Sequence, residues 1–348
     1  MRLTAPNPVL AGRGALVAGT AALLLAPWLF GSGGVAVLTQ FLNMLVLALM
    51  WNLLAGYADV LTVGQHAFVG VGAYAFYGFA ALAGVDPRLA IPLAGATAFA
   101  FALPAMAVVF RLRAAYLAIG TWVVAELFML LAGKLGAFGG GSGVSLPLSV
   151  VRSFGAHPAE RFVSAYWLAL ALAATAFIGT WLLLRSRVGL GLTAMRDNEE
   201  GAGAVGVDLV RARVLCFLWT APFLGLAGAI ITLQKMRISP SASFSITDYT
   251  VFVIFNVVIG GIGSLEGPVL GTTLFFVLRQ YLSDLGTWHL MLLGAVSIAV
   301  ILVEPRGLWG LVRAVLPEDL IPVSHRASPG FACDGGAEPT RSRTREPV

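Results

Sequence analysis

Between Trp28 and Gly310 the chain is one apolar stretch after another. The longest polar interruption, Arg185 to Arg213, holds nine charged residues and no hydrophobic run. With 58% hydrophobic and 11% charged residues, 348 residues carry too few polar side chains to cover a water-soluble surface. Lipid must be the solvent. A helix needs about 20 apolar residues to cross a hydrocarbon core of roughly 30 Å, and only helices or closed barrels satisfy every backbone group there. The runs have helical length and do not alternate as barrel strands would. The fold class is therefore all-α, a polytopic helical membrane protein.

Ten stretches qualify as candidate spans: 15–31, 35–55, 62–84, 89–110, 115–133, 163–184, 212–234, 249–264, 267–283 and 288–303. Two of them, 35–55 and 249–264, run into Gly-rich sequence and read as broken or re-entrant, so the expected count is eight to ten. Positive loops stay cytoplasmic. Threading ten spans with the 185–213 loop inside puts fifteen of the 22 basic residues on that side and seven outside, with both termini cytoplasmic. The basic residues form no continuous stripe of the kind nucleic acid needs. The start, Arg2 to Phe30, reads as a retained first span, because Pro27, Trp28 and Phe30 make a poor cleavage site. Cys216 lies inside a span and Cys333 in the tail, with no metal-ligand spacing. Residues 1–316 form the membrane domain, with 185–213 as its cytoplasmic loop, and 317–348 read as a disordered cytoplasmic tail. Between Lys134 and Arg161, GAFGGGSGVSLP (136–147) points to close backbone packing or a mobile lid.

Four features are candidates for function. Trp51 to Ala80 sets Asn52, Asp59, Gln65 and His66 beside glycines 56, 64, 70 and 72. That is either a broken helix beside a solute pathway or a cytoplasmic connection whose Gln65 and His66 cap a helix in water. Asn256 to Leu274 repeats glycine at 263, 267 and 271 and adds Gly260, Gly261 and Pro268, which reads as a packing groove or as a turn that moves. Glu126, in the middle of a span, should face the bundle interior, as a buried structural acid or a proton relay. Ser186 to Val214 groups Arg196, Asp197, Asn198, Glu199 and Glu200 among Leu192, Met195 and Val205, a protein-docking helix or a solvated loop. No G-x-x-x-x-G-K-[ST] phosphate loop is present, so any ATP must be bound by another subunit.

Five segments, in order, resemble the membrane subunits of the branched-chain amino acid ABC importers, and among them the second of the paired permeases. They are NLLAGYADVLTVGQHAFVGVGAY (52–74), LRAAYLAIGTWVVAEL (112–127), GGGSGVSLP (139–147), SRVGLGLTAMRDNEEGAGAVGVD (186–208) and VVIGGIGSLEGPVLG (257–271). Asp59 stands where that family usually has Gly, Gln65 where a plain Gly-His is commoner, Phe138 where Thr is often seen and Leu190 where Arg is frequent. The resemblance implies that Thr193 to Gly206 is the coupling helix seated in an ATPase cleft, with Thr193, Arg196, Asp197, Asn198, Glu199, Glu200 and Gly206 as its contact residues. Asn52, Gly64, Gln65, His66, Phe68, Glu126, Gly261, Gly263 and Gly267 are the candidate translocation-pathway residues. It further implies a non-enzymatic permease subunit of the cell (inner) membrane, importing branched-chain or similar amino acids by alternating access. Its partners would be ATPase subunits holding ATP and Mg, a homologous sister permease and an external solute-binding protein, with no cofactor in this chain. Urea or short amides are alternative cargo within the family. A self-sufficient proton-coupled transporter using Glu126 and His66 is the rival from a different class.

Overall fold

The structure, a computed structural model, describes residues 8–112, 115–282, 288–304 and 307–315. The tail expected over 317–348, and Arg2, Arg113 and Arg306 of the charge count, lie outside the described residues. Fifteen α-helices run along the described chain: α1 (Pro8–Leu29), α2 (Ser32–Asn52), α3 (His66–Tyr77), α4 (Pro87–Val109), α5 (Ala115–Lys134), α6 (Leu148–Arg152), α7 (Pro158–Arg185), α8 (Arg187–Asp197), α9 (Glu199–Ala204), α10 (Leu209–Lys235), α11 (Pro240–Ser243), α12 (Phe252–Gly260), α13 (Gly267–Leu282), α14 (Trp288–Val303) and α15 (Gly307–Val315). Wider π turns extend α2 over Leu53–Tyr57, extend α3 over Gly78–Leu82, and precede α12 over Thr247–Val251.

Each of the ten apolar stretches contains a helix. Among the described residues six helical segments are long and apolar enough to cross a membrane: Ser32–Tyr57, Pro87–Ala107, Tyr116–Lys134, Pro158–Arg185, Leu209–Lys235 and Pro240–Gly260. Gly19–Leu29 and His66–Leu82 are apolar but shorter. The expected span 62–84 starts late, at His66, because residues 58–65 are not helical. The expected span 249–264 stops at Gly260, where Gly261 turns the backbone to φ 120°.

The body is organised around α10, which packs against α2, α3, α4 and α7. In α2 and α10 61% of the most apolar window is buried, against 17% in α5, so the first two are central and α5 lies at the flank. Side chains on these helices and on α13 merge into one apolar core that includes Leu47, Leu49, Leu53, Tyr166, Phe217, Leu224 and Phe275. Entry into α7 is fixed by Pro158 and a capping box between His157 and Glu160, and α10 starts where Asp208 accepts from the Arg211 amide. The Gly-rich 136–147 segment packs closely: Gly143 is pressed against the Ile238 carbonyl, and β1 (Val144–Ser145) pairs antiparallel with β2 (Arg237–Ile238).

Candidate functional site

The charged loop leaves α7 at Arg185 and enters α10 at Leu209, so one end of the body is defined by it. Three caps divide the loop. Ser186 accepts from Gly189 N (3.4 Å), Asn198 from Gly201 N (2.9 Å) and Asp208 from Arg211 N (3.0 Å), giving two short helices in place of one. Leu192 and Met195 are buried in the main core, whereas Val205 is 80% exposed at the tip. Glu200 and Gly206 are exposed with it, and Gly206 takes φ 90°. Thr193 is tied to its own helix through the Gly189 and Leu190 carbonyls.

Two arginines join this loop to the membrane body. Arg196 Nη1 donates to the Gly263 carbonyl (2.8 Å), its Nε donates to Asp197 Oδ1 (3.0 Å), and its guanidinium lies 5.5 Å from the Tyr57 ring centre. The Gly263 amide in turn donates to Asn52 Oδ1 (2.9 Å), and Asn52 Nδ2 donates to the Ser264 carbonyl (2.8 Å). Asn52 therefore ties the end of α2 to the turn between α12 and α13, and Arg196 ties that turn to the loop. Arg213, in the first turns of α10, donates from Nε to the Ala58 carbonyl (3.1 Å). Its Nη2 lies 2.8 Å from Glu199 and 3.8 Å from Asp59. Both helix breaks are thus held by groups that belong to, or grip, the charged loop. Asp59 sits at φ 52°, a left-handed conformation that glycine adopts without penalty and aspartate tolerates, which accounts for the exchange at this position.

Beyond Asp59 the chain turns back into the body as irregular backbone. Trp51 Nε1 donates to the Thr62 carbonyl (2.8 Å), and the Val63 amide donates to Thr121 Oγ1 of α5 (3.1 Å). Gly64 lies so close to the Thr121 carbonyl that no Cβ fits. Gly64, Gln65 and Phe68 share a small cavity of about 20 Å³ with Thr220 and Leu224, roughly two to three turns along α10 from Arg213. Gln65 and His66 do not cap a helix in water. Both are buried, Gln65 Nε2 donates to the Tyr249 carbonyl, and His66 Nδ1 is 3.0 Å from Thr250 Oγ1 in the π turn. Irregular backbone inside a membrane body persists only where protein or a wet cavity satisfies it, and here protein does. Phe68 packs edge-on against Phe217.

The glycine repeat divides. Gly267 abuts the Gly261 carbonyl and Gly271 the Asn256 carbonyl, bringing α12 and α13 into backbone contact; Gly263, at φ 75°, lies in the turn beside Gly56. Glu126 is not enclosed by the bundle, yet it lies within electrostatic reach of the buried His66. It is half-buried on α5, hydrogen-bonded by Trp122 Nε1 (3.2 Å), on a helix whose Trp122, Val123, Leu127 and Leu130 are exposed. Sequence reasoning missed Arg213, Thr121 and Thr250. Arg213 counted only toward orientation, and no pattern marks a threonine that will face a distant backbone. Among the described residues no group of His, Cys, Asp or Glu could hold a metal ion.

A family model described as "Branched-chain amino acid transport system / permease component" matches residues 34–302. The chain is 28% identical over 316 residues to the high-affinity branched-chain amino acid transport system permease protein LivM of Salmonella typhimurium, covering 83% of this chain and 73% of that protein. The LivM protein of Escherichia coli is 28% identical over 312 residues, with the same coverage. A probable branched-chain amino acid transport permease protein LivH of Methanocaldococcus jannaschii is 27% identical over 161 residues, 43% of this chain and 48% of that one. No solved structure matches.

Proposed function

The chain belongs to the branched-chain amino acid transport permease family, and on that premise we propose that it is the membrane subunit of an ATP-driven importer for branched-chain or similar amino acids. It contributes the pathway and no hydrolytic chemistry. ATP and Mg are bound by separate ATPase subunits, a homologous permease completes the membrane body, and an external binding protein delivers solute. The chain sits in the cell (inner) membrane with eight to ten spans, the six long segments being joined by α3 and by shorter apolar helices such as α13 and α14. The 185–213 loop and both termini are cytoplasmic, following the basic residues.

The observation that carries this reading is the double attachment of the charged loop. A lever can shift a membrane equilibrium only by contacts that differ between its two states. Arg196 on the Gly263 turn and Arg213 on Ala58 and Glu199 place such contacts at the breaks of α2 and of the α12–α13 pair. The coupling residues accordingly separate into two groups. Asp197, Asn198, Glu200, Val205 and Gly206 face outward and dock on the ATPase, whereas Arg196 and Glu199 transmit its movement inward. Asn52, Gly261, Gly263 and Gly267 form the inner end of the gate, and Gln65, His66 and Phe68 its middle. Glu126 lines the flank shared with the sister permease, because a carboxylate at that depth needs cover other than lipid.

The test is affinity purification of the tagged chain from its native membrane in mild detergent. ATPase subunits and a second permease are expected to accompany it. Recovery of the chain alone would overturn the importer.

A further inference from the structure

At the end opposite the charged loop, where α7 begins and α10 finishes, a cavity of about 290 Å³ opens among α2, α7, α10, α13 and the π turn before α12. Its mouth carries Lys235, Arg279 and Asp248, and its floor is apolar, with Met44, Leu47 and Phe252. Lys235 Nζ donates to Tyr249 Oη (3.1 Å) and keeps further donors free. Among the described residues neither Arg279 nor Asp248 forms an ion pair. Asn43, on the wall, is 2% exposed; its Nδ2 donates to the Thr39 carbonyl while its Oδ1 has no partner. A buried acceptor left unpaired is destabilising, so a donor arriving there gains a hydrogen bond that the empty cavity lacks.

We propose that this cavity is an entry-side binding site for a free zwitterionic amino acid with an aliphatic side chain. The inference rests on the importer reading above. The chemistry divides by depth. The α-carboxylate meets Lys235 and Arg279, the α-ammonium meets Asp248 with Asn43 below it, and the side chain enters the apolar floor. Opposite charges at a partly solvated mouth select a molecule that presents both, and a ligand lacking either one leaves a protein charge unanswered. About 290 Å³ is close to the lower end of small-molecule pockets, which suits a single amino acid and excludes a peptide of several residues. A solute released at this end is on the side from which import starts, so the site would hold it before the helix breaks at the other end respond.

The experiment is saturation binding of radiolabelled L-leucine to the purified chain with whatever subunits accompany it. Leucinamide, which lacks the carboxylate, and 4-methylpentanoate, which lacks the ammonium group, serve as competitors. Leucine is expected to bind saturably, and each analogue to compete at least about tenfold less well. Asp248→Asn should weaken leucine about tenfold while leaving 4-methylpentanoate unchanged, and Arg279→Gln should weaken leucine while leaving leucinamide unchanged. Equal competition by the analogues, or leucine binding that is absent or indifferent to both variants, would overturn the site. Subunit composition is read on the same preparation, so loss of the importer reading, through absent ATPases, is seen separately from loss of the cavity.

Discussion

Arg213 is the residue whose removal is the most informative. It is mostly buried, with 23% of its side chain exposed, and serves a carbonyl and a carboxylate at once. Arg213→Gln should leave insertion and ATPase association intact while lowering transport about tenfold, because the Ala58 carbonyl and Glu199 then move independently of α10. A double-mutant cycle with Glu199→Gln should return a coupling near 1 kcal/mol, the range of a partly solvated pair; additive effects would remove Arg213 from the transmission path. The neighbouring position makes a backbone prediction. Asp59→Gly should be tolerated, since φ 52° suits glycine, whereas Asp59→Val should lower the amount of folded protein seen by size-exclusion chromatography. At this scale the sequence was partly legible: the polar residues near the Gly-rich breaks marked the right places. Their partners were not legible, because Asn52 pairs with residues more than two hundred positions away.

The charged loop tests what an element does when its two faces differ. Because Leu192 and Met195 are buried and Val205 is exposed, one face is anchored and the other is free. Glu200→Arg and Val205→Asp should therefore reduce recovery of the ATPase in co-purification severalfold. Arg196→Gln should recover it normally and still transport poorly. If all three lose the ATPase equally, the division into docking and transmitting faces fails. Helix positions were legible from apolar run length, and the loop from its charges. The split at Asn198 and the irregular 58–65 stretch were not. A cap needs only one side chain accepting one amide, and the return of 58–65 is licensed by Thr121 and Trp51, whose contacts no local pattern encodes. Glu126 belongs here too, since its meaning follows from the exposure of α5. Burial within the bundle was the natural expectation for a mid-span carboxylate, whose cost there is very roughly 3 kcal/mol. A flank helix satisfies the same requirement only if another chain covers it.

The whole molecule carries that requirement further. Around the central helices α2, α3 and α10 the buried polar groups among the described residues lie in separate sets. One is at the charged-loop end around Asn52; another joins Gln65 and His66 to the π turn. Glu126, on α5, is bonded to Trp122 and reaches His66 only electrostatically, without a hydrogen bond. A proton path through one subunit needs titratable groups in hydrogen-bonded succession, and His66 has Thr250 as its hydrogen-bonding side chain with no bond to Glu126. Reconstituted alone, the chain should accordingly show no leucine uptake above empty liposomes when a pH gradient is imposed. Uptake should appear when the co-purified ATPase and sister permease are restored with ATP inside and the binding protein outside. Glu126→Gln in that complete system should keep transport within about twofold, because an amide fills the same contact at a protein-covered flank at little cost. Gradient-driven uptake by the lone chain, abolished by the same substitution, would place the energy source within this subunit and assign Glu126 a proton.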